Sequence, residues 1–196
     1  MANDHEFQSI YKEYHPKIHQ YMIKLVGNEE AEDLTQDVFI KIQKGLKNFR
    51  GDSKFSTWIY KIATNTALDK LRSPNSKRII RQKQIIEEDE EINIEPEAQD
   101  TWSGEKPLST EQSYVKEEMN TCIHNHIEDL PPDFKAVILL SEMEGLKNKE
   151  IAEVLGVTLE TVKIRLHRGR SILKMDLDSN CNFYRNERNK LSCDKK

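Results

Sequence analysis

The sequence predicts an all-α protein in which a flexible acidic linker joins two small helical domains. Apolar residues recur at helical spacing in two separate stretches, and long alternating runs of β-branched residues are missing. The 196 residues include only seven glycines and six prolines, and the 36 % that are hydrophobic suit small helical cores better than one thick core. We place the first domain at 1–73, the linker at 74–112, the second domain at 113–177 and a polar tail at 178–196.

Amphipathic helices are predicted through the first domain, from residue 7 to residue 72. Pro16 is expected to interrupt or restart the first helix, which then continues to a break at 27–28. A second helix is predicted over 29–44, and a third follows a polar loop at 48–54. The buried face of the second helix is expected to hold Ala31, Leu34, Val38 and Ile42, and the third helix to carry Phe55, Trp58, Ile59, Ile62 and Leu68.

The region after residue 73 loses this periodicity. Between Glu87 and Glu105 there are nine acids and no lysine or arginine. Such a segment cannot bury enough apolar surface to offset its ordering entropy and self-repulsion, so a flexible linker is predicted. Helical periodicity resumes near Ser113. The Leu-Pro-Pro sequence at 130–132 ends one helix, and the next is predicted over 134–143.

A helix-turn-helix is predicted over 146–173. Asn148 is expected to cap its first helix, Gly156 to supply a left-handed turn, and Thr158 to cap its second helix. Two rows of residues then follow on opposite faces of the second helix. The inward row is Val162, Leu166, Gly169 and Leu173, and the outward row is Lys163, Ile164, His167 and Arg168.

The outward row fits the major groove of B-DNA, where lysine or arginine can reach the acceptors of guanine. A solvated basic face on a structural helical hairpin is the alternative. The formal net charge of the chain is −4, whereas residues 161–174 hold five cations and no acid. Affinity for DNA is therefore expected to be confined to this helix and to be assisted by a partner.

The second helix of the first domain has a polar face. Asp33, Gln36 and Asp37 lie at i, i+3 and i+4, opposite the buried face. On physical grounds this face is either solvated or a docking surface for a basic partner helix.

An aromatic, cation-rich loop precedes the third helix. Phe49, Arg50, Phe55 and Trp58 offer rings and a guanidinium that can stack on single-stranded bases, and Asn65 offers an amide that can read a base edge. The alternative is ordinary core packing, which the helical spacing favours for Trp58 and allows for Phe55.

Three segments, 31–42, 49–72 and 130–170, resemble the bacterial RNA polymerase sigma factors of the sigma-70 family. More closely, they resemble the compact extracytoplasmic-function (ECF) group, which has domains two and four and no domain three. The resemblance implies promoter-specific initiation with core RNA polymerase. It implies that Asp33, Gln36 and Asp37 dock on the clamp helices of the largest polymerase subunit, and that the polymerase flap is a further contact. The acidic linker would lie along the RNA channel.

The same resemblance implies two sets of DNA-contacting residues. The first set would melt the −10 element and hold it as single-stranded DNA: Arg50, Ser53, Phe55, Trp58, Lys61, Asn65 and Arg72. The second set would read the −35 element as duplex DNA: Lys163, Ile164, Arg165, His167, Arg168 and Arg170. The family often has arginine at the position of Lys163 and an aromatic residue at that of His167, which leaves the promoter sequence open.

Other classes of protein fit the sequence less well. A stand-alone helix-turn-helix regulator that binds duplex DNA as a dimer is the alternative, although no heptad dimerisation helix is present. An enzyme is not expected, because no glycine-rich loop, nucleophile elbow or catalytic His/Asp spacing occurs. The lack of a signal peptide and of a membrane-spanning run predicts a cytoplasmic protein without membrane insertion. The family further implies a role in stress responses and allows for an anti-sigma factor as a partner.

Three cysteines, an odd count in a reducing compartment, argue against a disulfide framework. Cys122 and His126 lie at i, i+4 on a predicted helix. Cys181 and Cys193 flank a segment in which residues 186–189 can turn the chain back and bring the two thiols together.

No cofactor is required by this interpretation, but these four residues would make a four-coordinate site for a thiophilic ion such as zinc, cadmium or copper(I). Some sigma factors of the ECF group carry cysteine-bearing C-terminal extensions that make their activity metal-dependent, and this tail is similar in kind. His124 competes with His126 as the fourth ligand. The alternative is a packed Cys122 with two free thiols on the tail.

Overall fold

The structure is a computed structural model that describes residues 2–72, 126–185 and 191–195. The predicted acidic linker, the return of helical periodicity near Ser113, and residues Cys122 and His124 lie outside the described residues. The described helices form an N-terminal bundle of α1, α2 and α3 and a C-terminal bundle of α4, α5 and α6.

One continuous helix, α1 (Ala2–Val26), opens the N-terminal bundle, and Pro16 lies inside it. The expectation that Pro16 interrupts or restarts the helix is therefore wrong. An internal proline costs about 3 kcal/mol, whereas burial of one large apolar side chain stabilises the fold by about 1.5–3 kcal/mol. Four such side chains are buried after the proline, which outweighs the local cost. They are Ile18, Tyr21, Met22 and Leu25.

The break predicted at 27–28 is confirmed, because Gly27 has a φ of 93° and separates α1 from α2 (Asn28–Gly45). A 3₁₀ turn, Leu46–Asn48, and an exposed loop lead into α3 (Phe55–Leu71). The predicted buried face of α2 is confirmed in full. A hydrogen bond of 2.8 Å between the hydroxyls of Tyr21 and Thr64, both buried, joins α1 to α3.

The described part of the C-terminal bundle starts with a helical turn at 126–128. Next comes α4 (Pro132–Ile138), which begins with a proline. Proline suits the first position of a helix, because a backbone N–H at this position would have no partner within the helix. A π-helical turn, Leu139–Met143, continues α4, so the helix predicted over 134–143 is present with a wider final turn. The last two helices are α5 (Asn148–Leu155) and α6 (Leu159–Asn180).

The polar tail forms a β-hairpin after the end of α6. Strands β1 (Cys181–Arg185) and β2 (Leu191–Lys195) pair antiparallel, with Cys181 opposite Lys195 and Phe183 opposite Cys193. Aromatic residues favour strands, and the aromatic pair at 183–184 lies in β1. The return of the chain between the two cysteines was predicted; its strand pairing was not.

The two bundles pack against each other. α3 contacts both α4 and α5, and α1 contacts α4 and the π-helical turn. Buried residues of both bundles form one continuous cluster, whereas the sequence predicted separate small cores. The buried Lys135 of α4 donates to the carbonyl O of Leu25 at 3.3 Å, where the C-terminal end of α1 attracts a cation. Within the described residues no helix is long and apolar enough to cross a bilayer.

Candidate nucleic-acid interface

The turn between α5 and α6 takes the backbone that the sequence predicts. Gly156 has a φ of 65° and a ψ of 33°, the left-handed conformation that glycine adopts without steric cost. Thr158 caps α6, because its Oγ1 accepts from the backbone N–H of Thr161 at 3.1 Å. Both of these predictions are confirmed.

The start of α5 differs from the expectation. Asn148 is the first residue of the helix, and Lys147 occupies the capping position. The backbone N–H of Lys147 donates to Oε2 of Glu150 at 2.8 Å. The Glu150 carboxylate therefore accepts the backbone N–H of the capping residue, as the acidic residue of a capping box does. The prediction that Asn148 is the cap is wrong.

The predicted inward row of α6 packs on α4. Val162, Leu166 and Gly169 are buried, and Leu173 is half-buried. Gly169 lets the helices approach closely, since a Cβ at this position would lie 3.2 Å from Cγ1 of Ile138. This packing determines which face of α6 points away from the bundle.

The opposite face of α6 carries the residues predicted to read duplex DNA. His167 and Arg170 are exposed, and the other four are half-buried. Arg170 forms an ion pair of 2.6 Å with Glu142, and Arg165 lies 3.6 Å from Asp133. Such surface pairs contribute about 0–1 kcal/mol, so a phosphate can replace either acid. The full predicted set is Lys163, Ile164, Arg165, His167, Arg168 and Arg170.

The outer face of α3 brings together three residues predicted to contact the −10 element. Lys61, Asn65 and Arg72 are exposed, and their spacings of four and seven residues place them on one side of the helix. In the preceding loop Arg50 is exposed and Ser53 is half-buried. The arrangement offers cations for phosphates around one amide that can hydrogen-bond a base.

The predicted stacking rings form a cluster of their own. The ring centroids of Phe49, Phe55 and Trp58 lie 5.2–5.6 Å apart. Trp58 also packs over Gly45, where a Cβ would lie 3.0 Å from the indole. All three rings are half-buried, so they have a packing role, as the alternative interpretation proposed. A further role in base stacking stays a prediction for Phe55 and Trp58.

The polar face of α2 is exposed as predicted at Asp33, Gln36 and Asp37. Ile40 continues this face at i+4 from Gln36, and 48 % of its surface is exposed. Ile40 was not predicted to belong to this face, although its position four residues after Gln36 places it there. Carboxylates beside an exposed aliphatic side chain form a surface that suits a partner helix with basic and apolar residues.

Acids of the C-terminal bundle contact polar groups of the N-terminal bundle, which the sequence did not predict. Two of the three contacts are ion pairs in which the N-terminal bundle supplies the cation, and in the third a tyrosine hydroxyl donates to a carboxylate. The pairs are Lys54–Glu150 with 2.7 Å from Nζ to Oε1, Arg72–Asp133 with 2.7 Å from the guanidinium to Oδ1, and Tyr60–Glu144.

These contacts shift two ionisation equilibria. The ammonium of Lys54, together with the backbone N–H of Lys147, lowers the pKa of Glu150 from its ordinary value of 4.5. Burial raises the pKa of Tyr60 far above its ordinary value, and the hydrogen bond to Glu144 raises it further. The Tyr60 hydroxyl therefore stays protonated and donates its hydrogen bond to Glu144 throughout the physiological pH range.

Two of the four predicted metal ligands, His126 and Cys181, lie near each other. His126 lies between Asp176 and the buried Cys181, with 2.5 Å from Nδ1 to Oδ2 and 3.9 Å from Nε2 to Sγ. The hairpin register places Cys193 two positions from the residue that pairs with Cys181. Among the described residues no group of three or more histidines, cysteines and acids is arranged to hold a metal. Completion of the predicted site depends on Cys122 and on the Cys193 side chain.

Comparison with known protein families matches both bundles. The model of sigma-70 region 2 matches residues 10–78, and that of sigma-70 region 4 matches residues 120–173. The first match contains the N-terminal bundle from residue 10 onward, and the second contains the helix-turn-helix.

Full-length relatives are similar over most of their sequences. The RNA polymerase sigma-H factor of Pseudomonas aeruginosa is 33 % identical over 174 residues, covering 85 % of this chain and 83 % of the relative. The ECF RNA polymerase sigma factor SigW of Bacillus subtilis is 34 % identical over 176 residues, covering 87 % and 88 %. The sigma factor RpoE of Bartonella quintana, solved with the anti-sigma factor NepR, has a similar fold, with a TM-score of 0.59 at 22 % identity over 88 % of this chain and 97 % of that one.

Proposed function

Because this chain belongs to the ECF group of RNA polymerase sigma factors, we propose that it divides promoter recognition among three described surfaces. The α2 face docks on core polymerase, the α3 face holds the melted −10 element, and the outer face of α6 reads the −35 element. The observation that carries this division is the presence, in one chain, of a helix-turn-helix and of a separate exposed face with two cations around Asn65.

The docking surface consists of Asp33, Gln36, Asp37 and Ile40. Its carboxylates complement the basic side chains proposed for the clamp helices of the largest polymerase subunit, and Ile40 adds exposed apolar area to the same face. Complementary charge sets the register and speeds association, while apolar burial adds affinity. The polymerase flap would be a further contact.

The −10 surface works on single-stranded DNA. Asn65 offers both a donor and an acceptor to a base edge, and Lys61 and Arg72 are placed for the flanking phosphates. Arg50 and Ser53 extend this surface into the loop before α3. The aromatic cluster of Phe49, Phe55 and Trp58 supports the loop. Ring stacking on a flipped base is a second role for the exposed parts of Phe55 and Trp58.

The −35 surface works on duplex DNA. Lys163 and Arg168 are the base-reading cations, since lysine and arginine reach guanine from a helix in the major groove. Ile164 and His167 contact the neighbouring base edges, and Arg165 and Arg170 bind phosphates. The chain supplies no catalytic group in this mechanism; nucleotide addition belongs to the polymerase, and the place of action is the bacterial cytoplasm, where polymerase and promoter are found.

A charge reversal tests the docking surface. The variant Asp33→Lys/Asp37→Lys should lose at least about 10-fold in affinity for core polymerase, because like charges placed together across an interface cost several kcal/mol. Affinity is measured by titrating labelled core enzyme with the full chain. Glu128→Lys/Glu153→Lys makes the same charge change at exposed acids of the C-terminal bundle and should bind as the wild type does. Equal affinity for all three proteins would refute the assignment.

A stand-alone regulator is not favoured, because the sigma region 2 bundle has no place in such a protein. The two functions differ in one observable: a regulator binds its site alone, whereas the proposed function requires core polymerase for promoter binding. An anti-sigma factor that covers these surfaces is a partner consistent with the fold, since the similar structure of RpoE was solved with one.

The tail carries a second proposal, that a thiophilic metal or oxidation at its cysteines regulates the factor. The geometry of His126 favours this proposal, because Nδ1 of its ring contacts the carboxylate of Asp176 and Nε2 faces the Cys181 thiol. Carboxylates orient metal-binding histidines in the same way. When bound, zinc, cadmium or copper(I) would link the hairpin to the helical turn at 126–128.

Equilibrium dialysis followed by elemental analysis tests the metal. The reduced protein should bind close to one equivalent, and Cys181→Ser/Cys193→Ser should bind none. Less than about half an equivalent on the wild type would refute metal binding, because a four-coordinate site with three thiolates binds its ion tightly near neutral pH.

A further inference from the structure

The side of α4 that packs against α6 ends in an acid. Phe134 and Ile138 face α6 at Gly169, where a Cβ would lie 3.4 Å and 3.2 Å from their side chains. Glu142 follows Ile138 by four residues, the spacing that keeps side chains on one side of a helix. Its Oε1 accepts from a terminal nitrogen of the Arg170 guanidinium at 2.6 Å. The packed row therefore continues into a hydrogen-bonded ion pair at the edge of α6.

The backbone that carries Glu142 is held on both sides. Glu142 lies in the π-helical turn Leu139–Met143, whose first two residues are fully buried. After the turn, the N–H of Leu146 donates to the carbonyl O of Leu140 at 3.0 Å, and Gly145 has a left-handed φ of 64°. Such wider turns are rare and are frequent at functional sites. The buried leucines and the hydrogen bond restrict the segment, so the carboxylate is presented from a rigid support.

The two arginines proposed for phosphates of the −35 element are held differently. Arg165 and Arg170 are five residues apart, which is about 140° around a helix, so they lie on opposite flanks of the inward row. Asp133 lies 3.6 Å from Arg165 and also binds Arg72. Within the described residues Arg170 is the sole ion-pair partner of Glu142. One of the two arginines therefore has a carboxylate dedicated to it.

An arginine can bind a carboxylate and a phosphate at the same time. Its guanidinium has five N–H donors in a rigid plane, and Glu142 accepts from one of its terminal nitrogens. The side chain of Arg170 remains 52 % exposed. A phosphate can therefore approach Arg170 from the solvent side, and Arg170 does not need to release Glu142.

We propose that Glu142 is a positioning residue that holds Arg170 ready for a phosphate of the −35 element. The inference rests on the proposed function, which supplies the DNA. A free arginine loses the mobility of a long side chain when it binds a phosphate, and this ordering weakens binding. The Glu142 carboxylate imposes part of that order before DNA arrives. An acid on the DNA-binding domain thus favours DNA binding.

The sign of the effect separates positioning from charge alone. A carboxylate near the DNA backbone repels the phosphates, so charge alone predicts that removal of Glu142 tightens binding. Positioning predicts the opposite. Removal of Glu142 should weaken binding by roughly 2- to 10-fold, the cost of immobilising one long side chain. A net loss of affinity therefore means that positioning outweighs repulsion.

Three substitutions and a control test the pair. Glu142→Met removes the carboxylate at similar side-chain length, and Arg170→Lys keeps the charge but loses the planar group that can bind two anions. Arg170→Met removes the proposed phosphate contact itself. The control, Glu153→Met, makes the same change as Glu142→Met at an exposed acid of α5. Urea unfolding of each free chain shows that the variants are folded, as expected for changes at exposed residues.

The full chain is assembled with core polymerase, and its affinity for a labelled promoter duplex is measured between about 50 and about 200 mM salt. Glu142→Met and Arg170→Lys should each bind roughly 2- to 10-fold more weakly than the wild type, and Glu153→Met should bind at least as tightly. Arg170→Met should reduce the slope of log affinity against log salt by about 1. Adding Glu142→Met to Arg170→Met should weaken binding no further, because both residues act through one contact.

Tighter or unchanged binding by Glu142→Met would overturn the proposal, and so would an equal loss in the control. An unchanged salt slope in Arg170→Met would show that Arg170 binds no phosphate, which also overturns it. A further loss from Glu142→Met in the Arg170→Met background would show that Glu142 acts by another route. If the wild type with core polymerase binds no promoter, the proposed function fails as well, whereas normal wild-type binding with any of these results refutes the inference alone.

Discussion

Thr64 and Asn65 are neighbours in α3 that should separate stability from promoter melting. Thr64 is fully buried, and its hydroxyl is 2.8 Å from that of Tyr21. Burial raises the pKa of Tyr21 far above its ordinary value, so this phenol stays protonated and needs its partner. Thr64→Val keeps the side-chain shape but leaves the Tyr21 hydroxyl without that partner, which costs about 1–3 kcal/mol.

Asn65, in contrast, is exposed on the outer face of the same helix. Asn65→Ala should change the free energy of unfolding by no more than about 0.5 kcal/mol, as surface substitutions usually do. Loss of a base contact should weaken promoter melting by about 1–3 kcal/mol, which is roughly 5- to 150-fold.

Urea unfolding measures the stability of both variants, and permanganate reactivity of thymines at the −10 element measures melting in complexes with core polymerase. Thr64→Val should unfold at lower urea concentration yet melt the promoter normally where it is folded. Asn65→Ala should do the reverse. If Asn65→Ala leaves the permanganate pattern unchanged, or if both variants fail in the same measurement, the assignment of the outer face of α3 to the −10 element is refuted.

Three further outcomes follow from single sites. Gly169→Val should lower the free energy of unfolding by about 1–3 kcal/mol in a urea titration, because its methyl groups would overlap Ile138; a variant as stable as the wild type would contradict the packing of α6 on α4. Ile40→Ala should weaken core binding by about 1 kcal/mol without affecting folding, since it removes roughly two or three methylene equivalents of apolar surface; unchanged affinity would exclude Ile40 from the docking surface. Since the pKa of Glu150 is lowered, its ion pair with Lys54 stabilises the protein above pH 4.5 and is lost as the pH falls through the lowered value. Wild type and Glu150→Gln should therefore differ in unfolding free energy at pH 6 and converge as the pH falls below that lowered pKa, and a difference that grows on acidification would have the wrong sign.

Local backbone chemistry made much of the fold predictable from the sequence. Gly156 and Thr158 define the helix-turn-helix because a left-handed turn and a hydroxyl cap are properties of single residues and their nearest neighbours. Helical spacing likewise identified the buried face of α2 and the exposed residue Asn65. These are short-range signals, and the structure confirms where each residue lies.

The features that sequence reasoning missed depend on distant parts of the chain. Pro16 is accommodated because buried side chains before and after it, Ile10 and Ile18 among them, hold α1 in place, and rules for local sequence do not include such packing. The hairpin of the tail depends on pairing between two short strands, and apart from the aromatic pair at 183–184 the polar composition of the tail gave no sign of strands. The contacts of Asp133 and Glu150 join residues far apart in sequence, so as isolated surface acids they carried no predictive pattern.

Run-off transcription from the chain's candidate promoters tests its role in initiation most directly. Core polymerase with the wild-type protein should produce transcripts from discrete start sites downstream of paired −35 and −10 elements, and core polymerase alone should not. The chain alone should leave those elements unprotected from nuclease. Transcription that gains no promoter selectivity on addition of the protein, or tight binding of the protein to the same sites without polymerase, would contradict the proposed function.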